Sequence, residues 1–290
     1  MPLKLRIGGN KPVDEKDVTV ANTTINPENE GLTVANTTVI KEKKKLDNSN
    51  IIRNITTDQS EILWNIMQLY NGGEPFEVDI TASELKFYGK RGGYKYDIPV
   101  PSILMDVFPT SENIIKITPF KPLPLDNESV GSVVTDLPFV CSPKTCKSVV
   151  EKKEGANMIS NRFSSWYPME EGIANIFYWL GECSRVIKEN GIIVWKMQDS
   201  VSGGRQWLLS EFSVLCADYF GLYTIDHFVL QAKARLVSAS KIKKQQHSRK
   251  FTSDFWVFQK NRKKSSKVSL LNLLEYCKKE VHEGMVWELK

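Results

Sequence analysis

The sequence predicts an α/β protein built on a doubly wound, mostly parallel sheet. Short apolar runs recur along the chain and each ends in polar residues: Phe76–Thr81, Ile103–Asp106, Asn113–Thr118, Val133–Asp136 and Ile192–Asp199. Such runs suit strands buried on both faces, which deliver polar atoms to the carboxyl edge where open α/β sheets bind ligands. Segments with apolar residues at helical spacing lie before and between them, the alternation that a doubly wound sheet requires.

In order, residues 1–50 read as a flexible arm. Thr19–Ile25 recurs fourteen residues later as Thr33–Val39 in polar surroundings, followed by the basic run Lys41–Lys45. Two copies are too few for a solenoid, and a small β-hairpin or a strand added to a partner is the alternative. From Thr57 the pattern is helical. Asp58 is placed to cap, Glu61 follows three residues on, and Ile62, Leu63, Ile66, Met67, Leu69 and Tyr70 share a face that Asn71-Gly72-Gly73 ends. The first four strands follow, the fourth running from Val133 to Val140. Residues 141–168 have no sustained period, and a connection that long suggests a lid or a target-recognition loop. Within it Asn161-Arg162-Phe163 offers an amide, a guanidinium and a ring suited to bases or phosphate, or else an ordinary surface loop with one anchoring aromatic. Glu170–Glu189 predicts a helix with Ile173, Ile176, Phe177, Leu180, Cys183, Val186 and Ile187 inward. Asn190-Gly191 turns it into the fifth strand. Gly203-Gly204 precede a helix over Trp207–Phe220, stopped by Gly221. Two last apolar runs, Phe228–Leu230 and Phe255–Phe258, flank a basic loop, and Ser269–Cys277 reads as a helical tail. The expected organisation is an arm (1–50), a domain (51–262) and a helical tail (263–290).

Composition narrows the function. The 290 residues are 41% hydrophobic, with no apolar run long enough to span a bilayer and no apolar leader, so a cytoplasmic protein without a membrane partner is expected. Five cysteines (Cys141, Cys146, Cys183, Cys216, Cys277) lack paired short spacings, which predicts neither a disulfide framework nor a metal site. The net charge of +5 is concentrated. Lys233–Lys267 holds twelve Lys/Arg against the single acid Asp254, leaving that segment at +11 and the remainder at −6. Lys241, Lys243, Lys244, Arg249 and Lys250 are therefore candidate phosphate contacts, against the commoner meaning of a solvated loop.

The chemistry is concentrated at Asp136-Leu137-Pro138-Phe139, where the fourth strand ends in an acid, a proline and a ring. The tetrapeptide resembles the Asp-Pro-Pro-Phe/Tyr/Trp signature of class I S-adenosylmethionine-dependent methyltransferases that modify exocyclic amino groups of bases. It departs at Leu137, where proline is usual. A reading with Asp136 as a cap and Pro138-Phe139 as a loop closure competes with it. The resemblance extends to the approach Leu123–Asp136, to the helix-to-strand passage Glu182–Lys196, and to Gln245–Lys250 with Phe255–Phe258. Over roughly residues 51–262 the chain is similar to small DNA-methyltransferase-like proteins of phages and prophages.

The resemblance implies a Rossmann-like methyltransferase sheet with an antiparallel last strand, in a bacterial or phage-infected cell. It implies S-adenosylmethionine as cofactor, with Asp79 near the methionine part, Thr81 and Ser83 in the following turn, Asp106 at the ribose hydroxyls and Thr118 by the adenine. Asp136 and the Leu137 or Pro138 carbonyl would orient the target amine, and Phe139 would stack on its base. An aryl amine has its lone pair delocalised, and two acceptors on its N–H groups favour a pyramidal, nucleophilic nitrogen. No Gly-x-Gly loop follows the first strand, where Asp79-Ile80-Thr81-Ala82-Ser83-Glu84 stands. The function implied is methyl transfer to an amino group of a nucleic-acid base, adenine in DNA first. The alternatives are an RNA base methyltransferase, or a decayed methyltransferase fold that binds nucleic acid.

Overall fold

A strand whose apolar residues are buried without exception must face protein on both sides, and the central strand here does. The computed structural model describes residues 51–141, 166, 168–233, 247–248, 250–261 and 270–272. The elements in order are β1 (Ile55–Thr56), α1 (Gln59–Tyr70), β2 (Val78–Asp79), β3 (Ile103–Asp106), β4 (Ile115–Lys116), β5 (Val130–Asp136), α2 (Met169–Val186) and β6 (Ile187–Met197). They continue with β7 (Ser200–Ser202), β8 (Arg205–Trp207), α3 (Leu209–Tyr219), β9 (Leu222–Gln231) and β10 (Thr252–Lys260). Among the described residues the main sheet has the order β1-β9-β10-β6-β5-β2-β3-β4. Its pairs are parallel except those of β10, which runs antiparallel to both β6 and β9. This is the expected mostly parallel α/β sheet with its last strand reversed.

Successive strand residues point to opposite faces and so build two cores. Val133, Ile193, Trp195 and Phe258 join Trp179, Leu180, Cys183 and Val186 of α2 and Cys216 and Ala217 of α3. Val134, Val194, Phe255 and Val257 join Ile62, Leu63, Ile66 and Met67 of α1 on the other face. Each of these α1 side chains is essentially fully buried and stabilises the face by about 1.5–3 kcal/mol. The Asp58 carboxylate caps α1, accepting from Ser60 N at 2.9 Å, and Gly72 and Gly73 end it at φ +65° and +80°.

Chain order reverses at the sheet centre. From β2 the chain moves outward through β3 and β4, then returns across β2 to β5. The crevice between the carboxyl ends of β2 and β5 is thus the topological switch point.

Several elements differ from expectation. Leu69 and Phe177 are exposed, at 46% and 40%, and Phe177 packs against the rings of Tyr219 and Phe220. The helix expected to reach Glu189 ends at Val186, because Ile187 turns extended and pairs with Val130. The helix expected from Trp207 starts at Leu209, since Gly203 and Gly204 take φ of +60° and +76° and close the β7–β8 hairpin. The connections 80–102, 107–114 and 117–129 contain no helix. In the first of them Phe87 and Tyr88 are buried in the α1-side core. Residues 270–272 are helical, with Leu270 N and Leu271 N donating to the two Asp218 carboxylate oxygens. No helix among the described residues is long and apolar enough to cross a membrane.

Candidate functional site

The carboxyl edge of β2, β3 and β5 opens into a cavity lined by Asp79–Glu84, Lys86, Phe87, Asp106–Phe108, Ile117, Asp136–Pro138, Trp166 and Trp179. Five of the expected cofactor and transfer residues, Asp79, Thr81, Ser83, Asp106 and Asp136, converge there from strands far apart in sequence, together with Leu137 and Pro138.

Asp79 ends β2 and is 2% exposed. Its Oδ1 accepts from Thr81 N (2.7 Å) and Thr81 Oγ1 (3.1 Å), and its Oδ2 from the Tyr88 hydroxyl (2.6 Å). Burial outweighs these three donors, and the nearby Asp136 adds to it, so the Asp79 carboxyl is pushed up to about 7. Burial, then Asp79 itself, holds the Tyr88 phenol well above its ordinary value, which keeps it a donor.

Thr81 links the two strand-end acids. Its hydroxyl donates to Asp79 and accepts from Asp136 N at 2.7 Å. Beyond it, Ala82 N donates to Met105 O and Ser83 N to Asp106 Oδ2 (2.8 Å), while Phe108 N donates to Asp106 Oδ1 (2.7 Å). The turn therefore rests on the end of β3. Ser83 and Leu85 sit at φ +45° and +55°, so left-handed backbone is used in this turn without glycine. Each such residue costs about 1–2 kcal/mol.

Asp136 lies opposite Lys196 in the parallel β5–β6 register. The Lys196 ammonium is 2.8 Å from Asp136 Oδ2 and lies 5.0 Å from the Phe87 ring centroid and 5.7 Å from that of Phe255. Lys196 is absent from the expected site, yet a lone cation in the apolar run Ile192–Met197 is a legible signal. Trp166 and Tyr88 carry no comparable local signal. The Trp166 indole N–H donates to the Pro138 carbonyl, and Trp166 N donates to Val140 O at 2.9 Å. The ring is 2% exposed and packs where Gly172 of α2 has no side chain.

Other expected residues are placed elsewhere. Phe139 is half-buried against the α2-side core. Thr118 is exposed, and its neighbour Ile117 lines the cavity. Lys250 is half-buried immediately before β10, where Ala232 N donates to Phe251 O and closes the base of the β9–β10 connection. Because β9 is parallel to β6, the ends of that connection stand at the cavity's edge of the sheet, two strands (β10) and three strands (β9) from β5, or about 10–15 Å. Arg162, Phe163, Lys241, Lys243, Lys244, Arg249 and the repeat-bearing arm lie outside the described residues. Cys141, Cys183 and Cys216 are free thiols, and no group of metal-ligating side chains occurs among the described residues.

No protein-family model matches the sequence, and no curated protein matches it. Three solved structures resemble the fold. A Thermus thermophilus protein described as a DNA modification methylase has 13% identity and a TM-score of 0.30, over 48% of this chain and 47% of that one. PvuII DNA methyltransferase, cytosine-N4-specific, has 15% identity and a TM-score of 0.31, over 48% and 45%. A chain from the Haloferax volcanii complex of the Trm112 methyltransferase activator with a methyltransferase has 12% identity and a TM-score of 0.35, over 70% and 92%. The chain thus spans less than half the length of the first two. These likenesses are too distant to carry an argument about activity, which falls to the geometry of the site.

Proposed function

We propose that this chain transfers a methyl group from S-adenosylmethionine to an exocyclic amino nitrogen of a nucleic-acid base, with adenine in DNA the first candidate. The observation that carries the proposal is Asp136. Its carboxylate stands at the switch-point crevice, Oδ2 held by Lys196 and Oδ1 without a partner among the described residues. An acceptor fixed in that way is what an amine nucleophile needs. The Pro138 carbonyl already accepts the Trp166 indole N–H, and the Leu137 carbonyl is the first candidate to share the amine with Asp136.

The donor set suits the cofactor. The Asp106 carboxylate, oriented by Ser83 N and Phe108 N, stands in the cavity wall as the acceptor for a ribose hydroxyl. Phe108 and Ile117 supply apolar walls for an adenine, and Asp79 stands where a cationic methionine part would lie. When bound, S-adenosylmethionine supplies an electrophilic methyl group on a sulfonium. Asp136 then orients the amine, and after transfer its carboxylate or water takes the proton. Trp166, Trp179 and Phe87 give the cavity apolar walls that exclude water.

A second reading, a nucleic-acid-binding protein on a decayed methyltransferase fold, is favoured by the occupied Pro138 carbonyl and the glycine-free turn. Calorimetric titration with S-adenosylmethionine separates the two. One-site binding that weakens at least tenfold in Asp106→Ala supports the transferase, whereas no binding alongside salt-sensitive binding of DNA selects the second reading. Competition between single-stranded RNA and duplex DNA as methyl acceptors then identifies the polymer.

A further inference from the structure

Lys196 is unusual for its surroundings. The segment Ile192–Met197 is apolar apart from this one cation, its apolar residues are at most 1% exposed, and the Lys196 side chain itself is 12% exposed. A charge taken that far from water must be paired. Its ammonium has three N–H donors, and the acceptors around it among the described residues are Asp136 Oδ2 at 2.8 Å and the faces of Phe87 and Phe255. Strand alternation places it, since Trp195 points to the α2 side and Lys196 to the face that carries Asp136.

Asp136 is held at two points, its backbone N–H by Thr81 Oγ1 and its Oδ2 by Lys196. The same threonine hydroxyl binds Asp79, so two carboxylates share one bridging side chain, and among the described residues Asp136 is the one of the two paired with a cation. With one Asp136 oxygen fixed on each occasion by the same ammonium, the other is the one left to face the cavity.

Resting on the methyl-transfer reading, we propose that Lys196 is the positioning residue of that reaction: by locking Oδ2 of Asp136 it presents Oδ1, in one orientation, to the target amine. The methyl passes from the sulfonium sulfur to the amine nitrogen, the S–C bond breaking as the N–C bond forms. The proton then leaves the nitrogen for Oδ1 or water. Lys196 touches neither partner and acts through Asp136 alone.

The test compares full-length wild type with Lys196→Met, which keeps the volume and removes the charge, and Lys196→Arg, which keeps the charge. The probes are calorimetry with S-adenosylmethionine and transfer of labelled methyl groups to a mixed-sequence oligonucleotide, resolved into kcat and KM across pH. Lys196→Met is expected to bind cofactor within twofold of wild type and to lose at least a hundredfold in kcat with little change in KM. Lys196→Arg is expected to recover at least tenfold over Lys196→Met. If Lys196→Met does not fold, Lys196→Arg decides by itself, and a kcat reduced as far as in Asp136→Ala at wild-type cofactor affinity overturns the proposal. A Lys196→Met kcat within twofold of wild type overturns it while the transferase reading stands. Wild type that neither binds cofactor nor transfers methyl overturns both.

Discussion

Asp79→Asn tests whether the cavity floor holds a carboxyl group out of water, as the bonding around Asp79 requires. A carboxyl raised from its ordinary value near 3.8 to about 7 binds more protons in the folded chain than in the unfolded one between those values. Its contribution to stability is therefore fully present below pH 4, is lost as the pH rises toward 7, and is flat beyond. About three pH units correspond to at most about 4 kcal/mol, of which roughly 2 falls between pH 5 and 7. The substituted amide would keep an acceptor for the Tyr88 hydroxyl or Thr81 N but would not titrate. Urea unfolding of both proteins from pH 5 to pH 8 isolates the effect, because other titrating groups cancel in the difference. Asp79→Asn is expected to gain on wild type steadily up to pH 7 and to run parallel to it above. Parallel curves over the whole range would refute the buried, desolvated carboxyl.

Two further perturbations probe the walls. A β-carbon at Gly172 would lie 2.9 Å from Trp166 Cγ and Cδ1, so Gly172→Ala should displace the indole from the Pro138 carbonyl and destabilise the fold by about 1–3 kcal/mol. Thermal unfolding and the hydrogen-exchange rate of the indole N–H check it, and unchanged values in both would contradict the packing. Ser83→Gly should stabilise by up to about 1 kcal/mol, since Ser83 is exposed at φ +45° and glycine accepts that backbone readily; a fall in urea midpoint would count against the strained turn.

The parts of the molecule written in local chemistry were readable from the sequence. Val133-Val134 with Asp136, Ile192-Ile193-Val194 and the Asp58 cap declare buried strands and a helix start, and the structure has them. The mostly parallel sheet with its last strand reversed was expected as well, and the structure has it. What escaped depends on side chains meeting across the sheet or on turns overriding periodicity. Phe177 has the spacing of a core residue but faces Tyr219 and Phe220 on the surface. Gly203-Gly204 looked like a helix boundary and makes a hairpin, because two consecutive positive φ values match strand twist. Tyr88 reaches Asp79 from an irregular loop, and Trp166 arrives from a segment with no period at all. The absent Gly-x-Gly loop read as a gap, whereas serine and leucine adopt left-handed backbone in the turn that stands in its place.

The central claim is that Asp136 handles the reacting amine, and methyl transfer by wild type and Asp136→Ala, with cofactor binding measured on the same samples, tests it most directly. Wild type is expected to incorporate labelled methyl into the base amino group. Asp136→Ala is expected to lose at least a hundredfold in transfer with S-adenosylmethionine affinity within a few fold. Retained turnover in Asp136→Ala, or wild type that binds the cofactor and methylates no nucleic acid, would contradict it.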